Sequence, residues 1–221
     1  MKRQIVHPFI AYWFILTAIA CGGDRDFEYP DMRTELAEMR TDKEGNAQTL
    51  ITDRGQEWTI RNEKKIGGLV PDSLYRVLAR YAQAGEGTST ATVYSVARTV
   101  SAIPIPRAHF KAVPTDPVKF QSMWMSDRYL NVSVVVQVKD LPHVYSFVQD
   151  SITMQVGGCR SLYLTLLHDR NNDVEGYGRT VYLSVPLWIY KLKAGDRVIF
   201  SLNTYKEGKI SRTFDFPQPT L

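Results

Sequence analysis

The sequence predicts an all-β protein of two modules, a small barrel or meander followed by an antiparallel β-sandwich. Two observations carry this prediction. Apolar residues recur at every second position rather than at helical spacing, and clusters of Gly, Pro, Asn and Asp separate the runs at short intervals. The chain has 221 residues, of which 44% are hydrophobic and 23% are charged. This length and composition suit two domains of about 100 residues, each with its own core.

The first 20 residues have the pattern of a secretory signal peptide. A basic start precedes an uncharged apolar run at 9–20, which is shorter than the roughly 20 residues that a membrane span requires. Small residues lead up to Cys21, and the ending "AIAC" is similar to the lipobox of bacterial lipoproteins. The sequence therefore predicts a signal peptide at 1–20 and lipidation of Cys21. The alternative is an ordinary signal peptide, or an uncleaved anchor, that happens to contain a cysteine.

Residues 21–33 are predicted to form the lipid anchor and a polar tether, because this stretch lacks periodicity. An acidic segment after the lipidated cysteine is similar to a surface-export signal of Gram-negative anaerobes, although Arg25 interrupts it. We therefore expect a lipid-anchored outer-membrane protein that faces the periplasm or the cell surface. Once Cys21 is lipidated, Cys159 is left unpaired, and we expect it to be a small, partly buried side chain.

Net charge argues against nucleic acid as a partner. The whole chain carries +4, and without residues 1–20 it keeps 25 basic against 23 acidic residues, a balance of +2. Such a balance attracts nucleic acid weakly. The predicted partners are the membrane, through the N-terminal lipid, and an envelope protein, peptide or glycan.

The barrel domain is predicted over 34–105. The segments 73–82 and 91–100 alternate, each with one apolar and one wetter face, as strands of an antiparallel sheet do. Arg76, Arg80 and Arg98 could line one face of this domain together with Tyr94. A solvated strand face is the favoured interpretation of these arginines, and an oligonucleotide-binding surface is the alternative.

The sandwich domain is predicted over 106–221. Four prolines between 104 and 117 favour an extended, non-helical connection between the domains. Segment 143–154 is ambiguous, because its apolar residues would also suit one face of a helix. Alternating apolar runs predict further strands at 130–138, 162–166, 181–187, 198–202 and 210–216.

The segment "HDRNNDVEGYG" could suggest a calcium loop, because Asp169, Asn171 and Asp173 fall at every second position. An EF-hand that began at Asp169 would need glycine where Val174 stands and glutamate where Thr180 stands. The favoured interpretation is a bend between two strands, since Asn, Asp and Gly bond their own backbone and tolerate positive φ. A looser calcium-binding loop is the alternative, and the three residues are retained as candidate binding residues.

Aromatic residues supply the other candidate binding positions. Trp124 and Tyr129 lie in "SMWMSDRY", which is predicted either to cap the sandwich core or to form an exposed contact patch. Trp124 or Trp188, if exposed beside a groove, would favour glycan binding.

The sequence lacks three common motifs of catalytic or phosphate-binding sites. The sequence contains no HExxH, no GxSxG and no GxxxxGK[ST] segment. An envelope hydrolase would need His168, Asp169 and Glu175 to cluster in a pocket. We therefore predict a protein that is not an enzyme, with no catalytic residues, no metal and no cofactor.

The chain resembles the NigD-like lipoproteins over nearly all of its mature length. The similarity rests on the lipobox ending at Cys21 and on the blocks "PDSLYRVLARY", "DPVKFQSMWMSDRYLNV", "LYLTLLHDRNND", "RTVYLSVPL" and "GDRVIFSLNTY". The resemblance implies an all-β fold, a small OB-type barrel followed by an antiparallel β-sandwich. It also implies that no catalytic residues carry over, and one family member's gene context suggests bacteriocin immunity.

These observations together predict an outer-membrane-anchored, non-enzymatic module that binds or protects at the cell envelope, with immunity-like sequestration of a toxic peptide as the expected role. A glycan-binding surface lipoprotein is the alternative, and an envelope hydrolase is the third hypothesis.

Overall fold

The structure is a computed structural model that describes residues 31–62, 65–85, 87–155 and 157–216. The signal peptide, Cys21 and most of the predicted tether lie outside these residues. Within them the regular structure consists of β-strands and two short 3-10 helices, Arg107–His109 and Trp188–Tyr190. The prediction of an all-β fold is therefore confirmed. Across the described ranges, none of the helices is both long and apolar enough to span a bilayer.

Five of the described strands close into the N-terminal barrel. They are β1 Met32–Thr41, β2 Ala47–Thr52, β3 Glu57–Ile60, β4 Leu74–Gln83 and β5 Thr90–Arg98. Their order is β1-β2-β3-β5-β4, and β4 pairs back to β1 to complete the barrel. The β3–β5 pair is parallel and the other pairs are antiparallel. This is the five-stranded Greek-key barrel of the OB type.

The inward face of the barrel follows the alternation in the sequence. Tyr75, Val77, Ala79 and Tyr81 on β4 are buried, and Trp58 packs against Tyr81 with ring centroids 6.0 Å apart. Strand β1 begins at Met32, so the barrel includes the last two residues of the stretch predicted to be tether.

The C-terminal domain is a sandwich of two sheets. Its strands are β6 Ile105–Pro106, β7 Lys119–Met125, β8 Tyr129–Val138, β9 Val144–Met154, β10 Arg160–Asp169, β11 Tyr177–Pro186, β12 Arg197–Thr204 and β13 Gly208–Asp215. One sheet has the order β13-β12-β10-β9-β6, and the other has the order β11-β8-β7. The ambiguous segment 143–154 is thus a strand, because its apolar residues extend a sheet rather than a helix face.

The sandwich core lies between the inner faces of these sheets. Phe147 and Phe200 meet edge to face at 6.2 Å, beneath Leu130 and Val132 of β8. Within a largely antiparallel sandwich, β10 and β12 run parallel. The reason is topological, since β11, which comes between them in the chain, belongs to the opposite sheet.

The proline-rich connection is docked on the sandwich. Ile105 of β6 pairs with Val148 of β9, although the predicted boundary placed Ile105 with the barrel. Closer to the end of β5, the carbonyl of Val100 accepts a hydrogen bond from the amide of Ser184 at 2.9 Å. The chain therefore contacts the sandwich as soon as β5 ends, and this brings the two domains together.

Candidate functional site

The barrel covers the outer face of the three-stranded sheet. On β8, Leu130 and Val132 point into the sandwich core, so strand alternation turns Asn131 to the opposite face. Asn131 pairs in register with Ser184 on β11 and with Trp124 on β7. Asn131 and Ser184 are both fully buried despite their polarity. Their burial shows that this face is an interface between the domains.

Arg76 of β4 provides the central polar contact of this interface. Its Nε donates to Ser184 Oγ at 3.1 Å, and its Nη2 donates to Asn131 Oδ1 at 3.0 Å. The same guanidinium forms a 2.7 Å ion pair with Asp53, whose carboxylate also accepts from Asn131 Nδ2 at 2.7 Å. The Arg76 side chain is only 3% exposed. A buried charge is tolerated when it is paired and hydrogen-bonded in this way.

Glu38 of β1 forms a second polar contact between the domains. Its carboxylate, which is buried, accepts from the hydroxyl of Tyr129 at 2.8 Å and from Nε of Arg128 at 2.9 Å. Arg76 lies over the Tyr129 ring at 4.1 Å. Burial, together with the bond to Glu38, raises the pKa of Tyr129 to about 12. Tyr129, a predicted binding residue, is therefore engaged within the protein.

Beside this interface, a groove of about 490 Å³ opens between the barrel and the three-stranded sheet. That size lies within the range of small-ligand sites. Leu36 and Leu78 form its wall on the barrel, while Trp124, Met125 and Tyr182 form its wall on the sandwich. Trp124 is 36% exposed. An accessible indole beside aliphatic side chains gives the groove a flat apolar surface suited to binding.

The groove also carries charged groups. Glu35, Asp53 and Asp127 contribute carboxylates, and Arg54 contributes a guanidinium. The Glu35 carboxylate accepts from the hydroxyl of Tyr81 at 2.5 Å, and burial together with this bond raises the pKa of that tyrosine to about 12. None of the described residues that line the groove is His, Cys or Lys. The arrangement can bind both apolar and polar groups.

In the predicted turn, the carboxylate oxygens of Asp169 and Asp173 accept hydrogen bonds from backbone amides. Asp169 Oδ1 accepts from the amide of Asn171 at 2.8 Å, and Asn171 has a φ of 54°. This confirms the predicted bend after β10. Asp173 is buried and accepts from the amides of Lys139 and Asp140 at 2.7 and 3.0 Å. The described part of the chain contains no group of three His, Cys, Asp or Glu side chains placed to hold a metal ion.

The candidate aromatic residues occupy different surroundings. Trp124 lines the groove, whereas Trp188 begins the second 3-10 helix, is 49% exposed and does not line the groove. Tyr129 lies within the domain interface and is 4% exposed. The structure therefore places Trp124 in a concave site with barrel residues, and it does not bring Trp188 or the turn residues to that site.

His168 is enclosed rather than presented to solvent. It is 2% exposed, its Nδ1 lies 2.9 Å from the carbonyl oxygen of Asp116, and its Nε2 lies 2.9 Å from Nδ1 of His143. Burial lowers its pKa. Since both ring nitrogens are engaged, His168 has no free base to offer a substrate. Glu175 lines a different cavity, beside Tyr205.

Sequence reasoning missed the residues that join the domains. The alternation predicts a solvated strand face for Arg76, but the three-stranded sheet buries its side chain. Its polar neighbours Asn131 and Ser184 occupy alternating positions in their strands, a pattern that solvent-facing residues also show. These positions differ from solvent-facing ones because the barrel docks over them, and alternation in the sequence does not encode this docking.

An OB-type barrel, a β-sandwich and a groove at their junction define a two-domain β protein. The profile of the NigD-like C-terminal beta sandwich domain matches residues 101–216. The chain therefore belongs to the NigD-like family, as the resemblance of its motifs implied.

Solved structures extend the likeness to both domains. A NigD-like immunity protein from Bacteroides caccae is 28% identical, with a TM-score of 0.68 over 86% of this chain and 99% of that chain. A protein of unknown function from Bacteroides vulgatus, 17% identical, shares the fold with a TM-score of 0.66 over 85% of this chain and 92% of its own.

A candidate lipoprotein from Bacteroides fragilis, 14% identical, also shares the fold, with a TM-score of 0.59 over 86% of this chain and 100% of its own. No curated protein matches the sequence.

Proposed function

We propose that this chain is a non-enzymatic binding protein of the bacterial cell envelope that sequesters a toxic peptide in an immunity-like role. The observation that carries the proposal is the groove between barrel and sandwich, with the half-exposed indole of Trp124 on its wall. The NigD-like immunity protein of B. caccae, which aligns with both domains, supports this role. The ligand is a peptide segment whose apolar side chain packs on Trp124.

The proposed location is the outer membrane, through lipid on Cys21. Two acyl chains hold a protein stably at a bilayer, whereas one chain binds only marginally. A domain tethered in this way meets a toxic peptide before the peptide reaches its target in the membrane. The fold shared with a candidate lipoprotein from B. fragilis is compatible with such an anchor. Palmitate labelling that depends on Cys21 tests it, and the variant Cys21→Ala is the control.

A growth challenge tests the immunity role. The gene is deleted, and the strain is exposed to the antimicrobial peptides that are encoded nearby. We expect greater sensitivity to at least one of them, with protection restored by the full-length gene. Unchanged sensitivity to every such peptide contradicts the proposal.

Complementation then tests the groove itself. We expect Trp124→Ala to fail to restore protection, because truncating a central aromatic contact weakens binding by at least about 30-fold. Trp188→Ala is the matched control, since it removes an exposed indole of the same type that lies outside the groove. Equal protection by both variants would assign binding to another surface.

Glycan binding is the second candidate, and the same residue favours it. Sugars stack on exposed indoles, and carboxylates such as Glu35 and Asp127 accept from sugar hydroxyls. Quenching of tryptophan fluorescence by oligosaccharides, lost in Trp124→Ala and kept in Trp188→Ala, would select this function over peptide sequestration.

The proposal of a non-enzymatic role rests on the chemistry of the described residues. Among its described lining residues the groove has no histidine, cysteine or lysine, and both ring nitrogens of His168 are engaged. Hydrolysis of a peptide or glycan by the purified protein, lost in His168→Gln, would overturn this part of the proposal.

A further inference from the structure

Trp188 is an exposed tryptophan that lies outside the groove between the domains. It begins the 3-10 helix Trp188–Tyr190 after β11, and it is 49% exposed. Lys191 and Lys193 follow it closely in the chain, and both are exposed. Residues 188–193 are called the tryptophan–lysine segment below. An accessible indole beside cationic side chains is a combination typical of the interface between an anionic membrane and water.

The backbone of the tryptophan–lysine segment is fixed to the sandwich. Nη1 of Arg160 donates to the carbonyl of Tyr190 at 3.1 Å, and Nη2 donates to the carbonyl of Lys191 at 2.8 Å. The same guanidinium pairs with Asp196 at 2.7 Å, and Asp196 accepts from the amide of Lys193 at 2.9 Å. The segment is therefore held through its backbone, and its lysine side chains are left at the surface.

Charge beside the indole favours an anionic surface. The carboxylate of Asp196 is buried in its ion pair, and none of the ion pairs between described residues includes Lys191 or Lys193. In the adjacent turn between β7 and β8, Asp127 contributes an exposed carboxylate, and Arg128 is paired within the protein. Two lysines against this carboxylate leave a local positive charge beside the segment.

A second exposed apolar side chain lies at this end of the sandwich. Met154, the last residue of β9, is 67% exposed. It pairs in register with Arg160, the residue that holds the tryptophan–lysine segment. Lysine stems lie along apolar surface while their ammonium groups stay in water. This end of the sandwich therefore offers both apolar and cationic groups to a lipid surface.

The described chain begins at the same end of the molecule. Thr34, near the start of β1, and Asp127 line the same groove. Arg128 follows Asp127, and its carbonyl accepts from the amide of Leu187 at 2.8 Å. Trp188 comes directly after Leu187. The start of β1 and the tryptophan–lysine segment are therefore neighbours across the turn between β7 and β8.

The length of the tether brings this end to the membrane. Nine residues lie between Cys21 and Asp31, where the described structure begins. A chain of this length spans at most about 35 Å. The opposite end of the sandwich is farther from the anchor by the length of β8, whose 10 residues extend about 30 Å. A lipid on Cys21 therefore keeps the tryptophan–lysine segment near the bilayer.

We propose that the tryptophan–lysine segment lies on the anionic lipid surface of the membrane that holds the anchor, with Trp188 at the level of the headgroups and Lys191 and Lys193 against their phosphates. This inference rests on the proposed lipidation of Cys21. Each lysine near an anionic surface strengthens the contact about fivefold. The tether raises the concentration of the segment at the bilayer. The lipid supplies retention and the segment sets orientation, so Trp188→Ala remains a valid control for the groove.

Quenching of tryptophan fluorescence by lipid tests the contact. The full-length gene product, purified as the lipoprotein, is reconstituted into vesicles of phosphatidylglycerol and phosphatidylcholine that carry a doxyl quencher near the headgroups. We expect quenching that is kept in Trp124→Ala and lost in Trp188→Ala. Trp58 should not contribute, because it is buried inside the barrel. Quenching that persists in Trp188→Ala overturns the proposal.

The lysines are tested in variants that keep Trp188. The double variant Lys191→Asn, Lys193→Asn removes both charges, and asparagine tolerates the left-handed conformation of residue 191, whose φ is 47°. We expect the ratio of docked to undocked protein to fall about 30-fold. The matched control is Lys139→Asn, Lys206→Asn, which removes two exposed charges from turns at the opposite end of the sandwich. An equal fall in both double variants overturns the proposal.

Flotation separates failure of this inference from failure of the anchor. Protein that floats with the vesicles while Trp188 stays unquenched overturns the inference and leaves the anchor standing. Protein that does not float lacks the anchor, and this result overturns both. Vesicles of phosphatidylcholine alone complete the test. Quenching as strong on these neutral vesicles as on phosphatidylglycerol overturns the assignment to an anionic surface.

Discussion

Nε of Arg76, on the barrel, donates a 3.1 Å hydrogen bond to the hydroxyl of Ser184, on the sandwich, although 108 positions separate the two residues. Both side chains are buried, and Asn131 bonds to each of them. The contact lies beside the groove that contains Trp124, whose two walls belong to different domains. The width of this groove therefore depends on contacts such as this one.

Removing the Arg76 guanidinium should destabilise the protein strongly. In Arg76→Ala, Asp53 loses its buried ion pair and Asn131 loses one of its two donors, and breaking a buried ion pair costs about 3–5 kcal/mol. Urea unfolding measures the loss. Arg80→Ala is the matched control, because it lies on the same face of the same strand but is exposed, and its cost should stay within about 0.5 kcal/mol. Similar losses in both variants would contradict the role of Arg76 at the interface.

The strands could be predicted from the sequence because alternation is a local property. Tyr75 and Val77 point inward in the barrel, and Leu130 and Val132 point inward in the sandwich, as their spacing indicates. Segment 143–154 was ambiguous, since its apolar residues fit two periods. Pairing with β10 over the whole of β9 decides in favour of a strand.

The candidate site could be predicted only in part. The sequence marks Trp124 as an aromatic residue that could form a contact, but Leu36 and Leu78, which line the groove with it, belong to the other domain. Alternation shows that Arg76 and Asn131 point away from the cores of their own domains. It does not show that the two outer faces meet, because that depends on how the domains dock.

The tyrosine at the interface predicts a loss of stability in alkali. The pKa of Tyr129 is raised from 10.0 to about 12, so the folded state favours the neutral phenol. Its contribution is therefore present below pH 10.0 and is lost as the pH rises through about 12. Absorbance of tyrosinate follows the titration, and Tyr129→Phe should remove one late-titrating group. An unchanged late phase in that variant would assign the phase to other tyrosines, such as Tyr81.

Substitution by alanine should mainly lower stability at Trp58 and mainly abolish protection at Trp124. Trp58 is 2% exposed inside the barrel, so Trp58→Ala should cost about 3–5 kcal/mol through the cavity it leaves. Trp124 is 36% exposed, and Trp124→Ala should lower stability by less than about 1 kcal/mol while abolishing protection by the groove. Urea unfolding and the growth challenge measure the two effects. Unfolding of the Trp124 variant would mean that its loss of protection says nothing about binding.

Acid should lower the stability of the sandwich domain, because it protonates the buried carboxylate of Asp173. The amide of Lys139, followed by those of Asp140 and Leu141, holds the pKa of Asp173 below its ordinary value of 3.8. Its contribution is therefore present above pH 3.8 and is lost as the pH falls further. Asp173→Asn should lower the Tm at neutral pH and reduce the dependence of Tm on acid. Asp169→Asn is the matched control, because among the described residues Asp169 accepts one backbone amide, that of Asn171, whereas Asp173 accepts several. Equal effects of the two substitutions would show that the turn, rather than the anchoring of the 139–141 loop, carries the stability.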